Sequence, residues 1–133
     1  MQLKKNMEIE LQITGTTHDG KGVGRYNDFV IFVPHCAEGE TVKVHVLSVK
    51  KNLAYGKLLE VIVPSPARIE SDCPVSEKCG GCVFRHISYE EELRIKYNRV
   101  SDTLKKIGGL SITPEQILES PEIYGYRNKA QYP

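Results

Sequence analysis

Glu8-Ile9-Glu10-Leu11-Gln12-Ile13 alternates polar and apolar residues without a break. That is the period-two pattern of a β-strand with one face in a core and the other in water. Four further segments read as strands. After it, His18-Asp19-Gly20-Lys21-Gly22 is a loop, because glycine admits positive φ and aspartate captures local backbone donors. Gly22–Tyr26 then predicts a short strand, Asn27-Asp28 a tight turn, and Phe29–Val33 a fully buried strand stopped by Pro34, together a hairpin. Thr41–Val49 alternates again, with Val42, Val44 and Val46 facing one way and Lys43, His45 and Ser48 mainly the other. Lys50-Lys51-Asn52 turns the chain into a fifth strand, Leu53–Val63. Five short antiparallel strands with no helix signal between them predict a small closed barrel of the OB type, which leaves few open edges. Pro64-Ser65-Pro66 ends it with a stiff spacer.

Outward from this β half, the pattern changes twice. Residues 67–87 have almost no periodicity and hold clustered cysteines, so something other than apolar burial must order them. A helix follows, opened by a capping box of Ser88 with Glu91 and stopped at Gly108-Gly109. Its apolar stripe Leu93, Tyr97, Val100, Leu104 and Ile107 is expected to pack in a core. Thr113-Pro114 marks a turn. Tyr124-Gly125-Tyr126-Arg127-Asn128-Lys129-Ala130-Gln131-Tyr132-Pro133 then reads as a strand entering a sheet whose other members are absent.

Composition narrows the function classes. A chain of 133 residues makes one ordinary domain or two small ones, and a small unit buries only ~60% of its unfolded surface. Lys and Arg total 18 against 17 Asp and Glu, a net charge of +1, which excludes a strongly cationic nucleic-acid coat and an acidic disordered tail. An anion-binding surface must therefore be a local patch. No apolar run approaches the ~20 residues of a membrane span, and Met1-Gln2-Leu3-Lys4-Lys5-Asn6-Met7 has no export core. The expectation is a soluble cytoplasmic protein, monomeric and without a membrane partner.

The chemistry-bearing residues fall into two groups. Cys73, Cys79 and Cys82 are spaced C-x5-C-x2-C with two glycines inside the last interval. Thiolates at that density suit Zn²⁺ or an iron–sulfur cluster, and the glycines let backbone N–H groups approach sulfur. Either metal asks for a fourth donor: Cys36, His35, His86 or a residue beyond Pro133. Zn²⁺ accepts a histidine, whereas a 4Fe-4S cluster prefers a thiolate. A metal-free redox pair is disfavoured by the lack of a βαβ setting. Cys36 stands alone in a loop and reads as a small apolar filler. The second group is cationic. Lys21, Arg25, Lys50, Lys51 and Lys57 form a candidate face for phosphates. Tyr26 and Tyr55 are either stacking surfaces for unpaired bases or barrel core. Arg85 and His86 are placed to orient RNA or reach a cluster sulfur, unless His86 merely caps the helix. Arg127 and Lys129 alternate along the final strand and would share one side.

Three of these stretches resemble the SAM-dependent tRNA and rRNA uracil-5-methyltransferases that carry an N-terminal TRAM domain and an iron–sulfur cluster. His18-Asp19-Gly20-Lys21-Gly22-Val23-Gly24-Arg25, followed by Phe32-Val33-Pro34 and Gly39-Glu40, is similar to the TRAM signature. Cys79-Gly80-Gly81-Cys82 with His86 and Ser88-Tyr89 resembles the cluster motif, and Tyr124-Gly125-Tyr126-Arg127-Asn128-Lys129 resembles the start of the central domain. The resemblance implies an RNA-binding TRAM barrel over residues 1–66, a cluster segment over 67–87, and the helix and first strand of an incomplete α+β central domain over 88–133. It implies a 4Fe-4S cluster on Cys73, Cys79 and Cys82, with the fourth ligand downstream of Pro133. Lys21, Arg25, Lys50, Lys51, Lys57, Arg127 and Lys129 would face RNA, with rRNA ahead of tRNA. The reaction it implies adds a cysteine thiolate to uracil C6 so that C5 takes the methyl group of SAM. Nucleophile, base and SAM site would lie in a methyltransferase domain absent from these residues, so the 133-residue chain alone should be inactive. The competing expectation is a stand-alone RNA-binding TRAM module with a metal-stabilised knuckle and no catalysis.

Overall fold

A computed structural model describes residues 2–131. The chain divides into two units, Met1–Ser88 and Tyr89–Pro133. The first holds five strands: β1 (Glu8–Thr16), β2 (Gly22–Tyr26), β3 (Phe29–Val33), β4 (Thr41–Val49) and β5 (Leu53–Val63). They close into a barrel in the order β1-β2-β3-β5-β4. β2 and β3 form the expected hairpin, paired from Gly22 with Val33 to Tyr26 with Phe29, around a turn in which Asn27 takes φ 52°. β1 closes against β4, Glu8 facing His45 and Gln12 facing Thr41.

One pairing departs from the all-antiparallel expectation. β3 and β5 run parallel, Val30 opposite Leu53 and Phe32 opposite Tyr55. β4 lies between β1 and β5 in the closed order, so β5 returns beside β3 in the same direction. Local alternation carries no information about which distant strand supplies the neighbour.

The barrel interior is small and aliphatic. Ile9, Leu11, Ile13, Ile31, Val33, Val42, Val44, Val46 and Ala54 are buried, with Leu3 and Cys36 in the same cluster. Strand alternation turns Gly24 and Gly56 inward, where bulk is not tolerated. A Cβ on Gly24 would lie 2.6 Å from Leu11 Cγ, and one on Gly56 2.2 Å from Val44 Cγ1. β3 is not buried on both faces as its continuous apolar sequence predicts: Ile31 and Val33 point in, whereas Phe29, Val30 and Phe32 are half-buried.

The second unit contains α1 (Tyr89–Lys106). Glu90, Glu91 and Glu92 sit in its first turn and Lys105 and Lys106 in its last, both signs favourable to the helix dipole. Glu92 pairs with Lys96 at 2.7 Å, and Glu91 with Arg94. The helix ends as predicted. Gly109 takes φ 65°, and the amides of Gly108 and Leu110 turn back to the carbonyls of Thr103 and Leu104. Two tyrosines tie the following chain to α1: Tyr97 donates to the Pro114 carbonyl at 2.6 Å, and the Ser120 amide donates to Tyr89 at 2.8 Å.

Two expectations for this unit need correction. The apolar stripe is only partly covered and none of it is buried core: Leu93, Tyr97 and Leu104 are half-buried, whereas Val100 is 49% exposed and Ile107 82%. Nor do residues 124–131 form the expected strand. A strand without a neighbour leaves its N–H and C=O groups to water, so alternation alone does not extend it. Tyr132 and Pro133, the end of that predicted strand, lie outside the described residues. Among the described residues no helix is long and apolar enough to cross a membrane.

The stem that follows the barrel is secured by a carboxylate. Glu40 is fully buried and accepts from the Ala37 amide at 2.7 Å, the Ser65 amide at 3.3 Å, and Arg68 through Nε at 2.5 Å and Nη2 at 2.9 Å. Burial pushes the Glu40 carboxyl up, but the hydrogen bonds from Arg68 and Ala37 outweigh it and hold the group below the ordinary glutamate range. Its contribution is therefore fully present above the unfolded value of about 4.3 and is lost as pH falls through the lower folded value. Glu40→Ala, which strands Arg68, is expected to cost about 3–5 kcal/mol in urea denaturation, and Glu40→Leu with Arg68→Met far less. Glu40→Gln should flatten the stability profile below pH about 5, read by thermal unfolding across pH.

Candidate functional site

Alternation sets the outer face of β2, β3 and β5. Gly22 and Gly24, Ile31 and Val33, and Ala54 and Gly56 are buried. Their neighbours Val23, Arg25, Phe32, Tyr55 and Lys57 therefore project outward. Phe32 and Tyr55, opposite each other in the parallel pair, bring their rings to 5.7 Å between centroids at an interplanar angle of 34°. Lys21, at the end of the β1–β2 loop, holds its ammonium 5.8 Å from the centre of the Tyr55 ring. Lys21 also pairs with Asp19 at 3.2 Å, and Asp19 takes a hydrogen bond from the Thr17 hydroxyl. That hydroxyl, ahead of the lysine, keeps the aspartate below its usual range.

Other exposed cations lie on β2, on β5 and on the turn before β5. Arg25 and Lys57 are exposed on the same outer face, and Lys50 and Lys51 are exposed on the β4–β5 turn. That turn also meets β3, because the Val30 amide donates to the Asn52 carbonyl at 3.2 Å. Tyr26 separates from the group: it packs against the barrel core. Arg127 and Lys129 are exposed in the second unit, where Arg127 lies 6.0 Å from the Tyr126 ring. With no strand formed there, alternation no longer places the two on one side.

Residues 67–88 make a loop with a clasped neck. Arg68 and Ile87 form an antiparallel bridge, the Ile69 amide donates to His86 at 3.0 Å, and the Ser88 amide donates to Ala67 at 2.8 Å. Both sides of the neck attach to the loop between β3 and β4. Arg68 grips Glu40 and donates to the His35 carbonyl at 2.6 Å, while His86 donates through Nε2 to the Cys36 carbonyl at 3.1 Å. His35, with φ 65°, turns edge-on to His86 at 6.2 Å between centroids. Burial, with help from Arg68 and His35, holds the His86 imidazole below the usual histidine range even though the Cys36 carbonyl favours its charged form. His86 is thus neither a helix cap nor turned to a sulfur. Its Nδ1 is buried with no hydrogen-bond partner among the described residues.

Farther out, the loop has little core. Arg85 bridges to Asp72 at 3.1 Å, and Val83 lies against Gly20. Gly20 has φ 86°, and a Cβ there would fall 2.8 Å from the Val83 Cβ, so glycine is needed both for the turn and for the contact. The loop that follows Cys82 therefore rests on the turn that leads to Lys21.

The four cysteines are all free and differ sharply in setting. Cys79 and Cys82 are exposed and Cys73 half-buried. The Gly81 amide points at Cys79 Sγ from 3.4 Å, an amide-to-sulfur contact of the kind that favours thiolate. In donor type these three suit a thiophilic metal. Among the described residues no group of three or more His, Cys, Asp or Glu is gathered to hold one. Cys36 is 1% exposed in the barrel core, and burial, followed by the nearby Glu40 carboxylate, pushes its thiol up to about 12. It is a filler, unfit as ligand or nucleophile at neutral pH. In metal-free protein, three thiols should react promptly with a disulfide reagent, and the fourth only at the rate of unfolding. A Cys36→Ala variant should lose the slow phase alone.

The comparisons agree with this geometry. Residues 2–59 match the TRAM domain family. The chain is 44% identical over 98% of its length to a protein of Clostridium tetani named an uncharacterized RNA methyltransferase, covering 28% of that protein. It is likewise 44% identical over 94% of its length to a similarly named protein of Synechocystis, covering 27% of it. The chain thus spans a little over a quarter of the length of these curated relatives. Among solved structures it is similar to the Pyrococcus abyssi tRNA (uracil-54, C5)-methyltransferase bound to S-adenosyl-L-homocysteine. That match has a TM-score of 0.51 and 26% identity, over 71% of this chain and 21% of that one. The five-stranded barrel, the motif-bearing loops and these matches identify residues 2–59 as a TRAM domain, in a chain homologous over nearly its whole length to RNA methyltransferases.

Proposed function

We propose that this chain is the RNA-holding and metal-binding part of a SAM-dependent RNA methyltransferase that acts on C5 of uridine. The observation that carries the reading is the set of exposed cations Arg25, Lys50, Lys51 and Lys57 on the outside of the barrel, within a chain aligned to a protein named an RNA methyltransferase over 98% of its length. Uridine C5 as the target is supported by the likeness to the tRNA (uracil-54, C5)-methyltransferase. Organisation as a barrel over residues 1–66, a cluster segment over 67–87 and a central-domain portion over 88–133 belongs to the same proposal.

Each group of side chains has a task in this reading. Arg25, Lys50, Lys51 and Lys57 neutralise phosphates along a single strand, giving affinity without sequence choice. Arg127 and Lys129, in the second unit, are proposed as further phosphate contacts. Cys73, Cys79 and Cys82 hold an iron–sulfur cluster, with a fourth donor expected downstream of Pro133 rather than Cys36, whose sulfur lies in the barrel core. The cluster, when bound, supplies the cross-link that residues 69–85 lack in apolar core. The Gly81 amide stabilises thiolate charge there, and the neck at Arg68 and His86 holds the loop to the barrel. No side chain of the chain is assigned to methyl transfer.

Two measurements test this. Lys50→Glu with Lys51→Glu should weaken binding of a single-stranded RNA. It should also lower the slope of log K against log salt by about 1.4, the share of two phosphate contacts. An unchanged slope would remove these lysines from the interface. Anaerobic reconstitution with iron and sulfide should give a brown protein with matched iron and acid-labile sulfide. One zinc per chain instead would convert the site to a zinc knuckle.

A further inference from the structure

We infer that Tyr55, with Phe32 beside it and Lys21 across its ring, is a stacking site for one unpaired nucleobase. The inference rests on the RNA reading above and adds to it a contact that phosphate binding does not require.

Four features of the surface carry it. Tyr55 is 39% exposed on an outer sheet face, although a ring of its size is more economically buried. The Phe32 ring, at 5.7 Å and 34°, braces it, so the platform loses little side-chain freedom when a base lands. The Lys21 ammonium already lies 5.8 Å from the ring centre, where a cation is drawn to the π face. Its ion pair with Asp19 is exposed on both sides, 37% and 46%, so exchanging the carboxylate for an RNA phosphate costs little. Arg25 and Lys57, exposed on the outward side of β2 and β5, favour an anion-bearing occupant.

The occupant that fits is a base of single-stranded RNA, flat and apolar on its face, with the adjoining phosphate on Lys21. The bases of a paired duplex are stacked on one another and present no free face. Tyr26, the other barrel tyrosine of the same cluster, cannot serve, since it packs against the core. Because Val83 rests on Gly20, one residue before Lys21, the stacked base would lie beside the loop that carries Cys79 and Cys82.

The test uses the 133-residue chain and a fluorescein-labelled oligouridine, read by anisotropy over a salt series. Tyr55→Leu should weaken binding roughly tenfold at every salt concentration with the slope unchanged, because stacking releases no counterions. Tyr55→Phe should recover most of that loss. In the wild-type protein, the ring proton signals of Tyr55 and Phe32 should move upfield on titration with the oligonucleotide. This readout does not depend on whether a variant folds. Wild-type binding with unperturbed ring signals, or undiminished affinity in a folded Tyr55→Leu, overturns the stacking site and leaves phosphate binding standing. A wild-type chain that binds no RNA at low salt overturns both readings, and the exposed ring would then belong to a protein contact.

Discussion

The carboxylate of Glu40, buried in the loop between β3 and β4, is the group on which the arrangement of this molecule turns. A buried carboxylate is tolerated only if its lone pairs are occupied by donors. Here Ala37 and Ser65 supply backbone amides and Arg68 supplies a two-pronged guanidinium. The partners come from three places in the chain: the same loop, the spacer after β5, and the first residues of the thiol loop. Satisfying one anion therefore ties the barrel's exit to its interior.

The same short loop does a second service through its backbone. The carbonyls of His35 and Cys36, turned outward where His35 adopts a left-handed conformation, take hydrogen bonds from Arg68 and His86. One is on each side of the neck that closes the thiol loop. A segment of poor apolar content thus leaves the barrel and returns to it at defined points, and its outer part rests on Gly20. The four cysteines divide accordingly. One is spent on barrel packing, and three stand on a loop whose ends are held to the barrel.

Function follows from what the barrel places outside. Its interior takes aliphatic side chains and inward glycines, which leaves the aromatic rings of Phe32 and Tyr55 and the surrounding cations to the outer face. Phosphate neutralisation and base stacking, the two contacts proposed for this face, are ways a small barrel holds single-stranded nucleic acid without reading it.

Much of this was legible in the residues. Period-two alternation located β1 and β4, because a half-buried strand must alternate, and short apolar runs between turn residues located the other three strands and the Asn27-Asp28 hairpin. Gly108-Gly109 marked the helix end, because a left-handed residue there is cheapest as glycine. The isolation of Cys36 marked it as filler. Pairing and exposure were not legible. Whether β5 lies parallel to β3, whether Phe32 in an all-apolar run faces in or out, and whether Val100 and Ile107 find cover are all set by distant neighbours. The strand expected over residues 124–131 needed a partner that its own pattern could not provide. Glu40, Arg68 and His86 show the division most plainly. The chain determined by itself that a barrel would be followed by a thiol-bearing loop and a helix, since periodicity and spacing are local. Only tertiary structure decided that one buried anion and two backbone carbonyls would clasp that loop to the barrel, since hydrogen bonds across 28 and 50 residues leave no trace in local sequence.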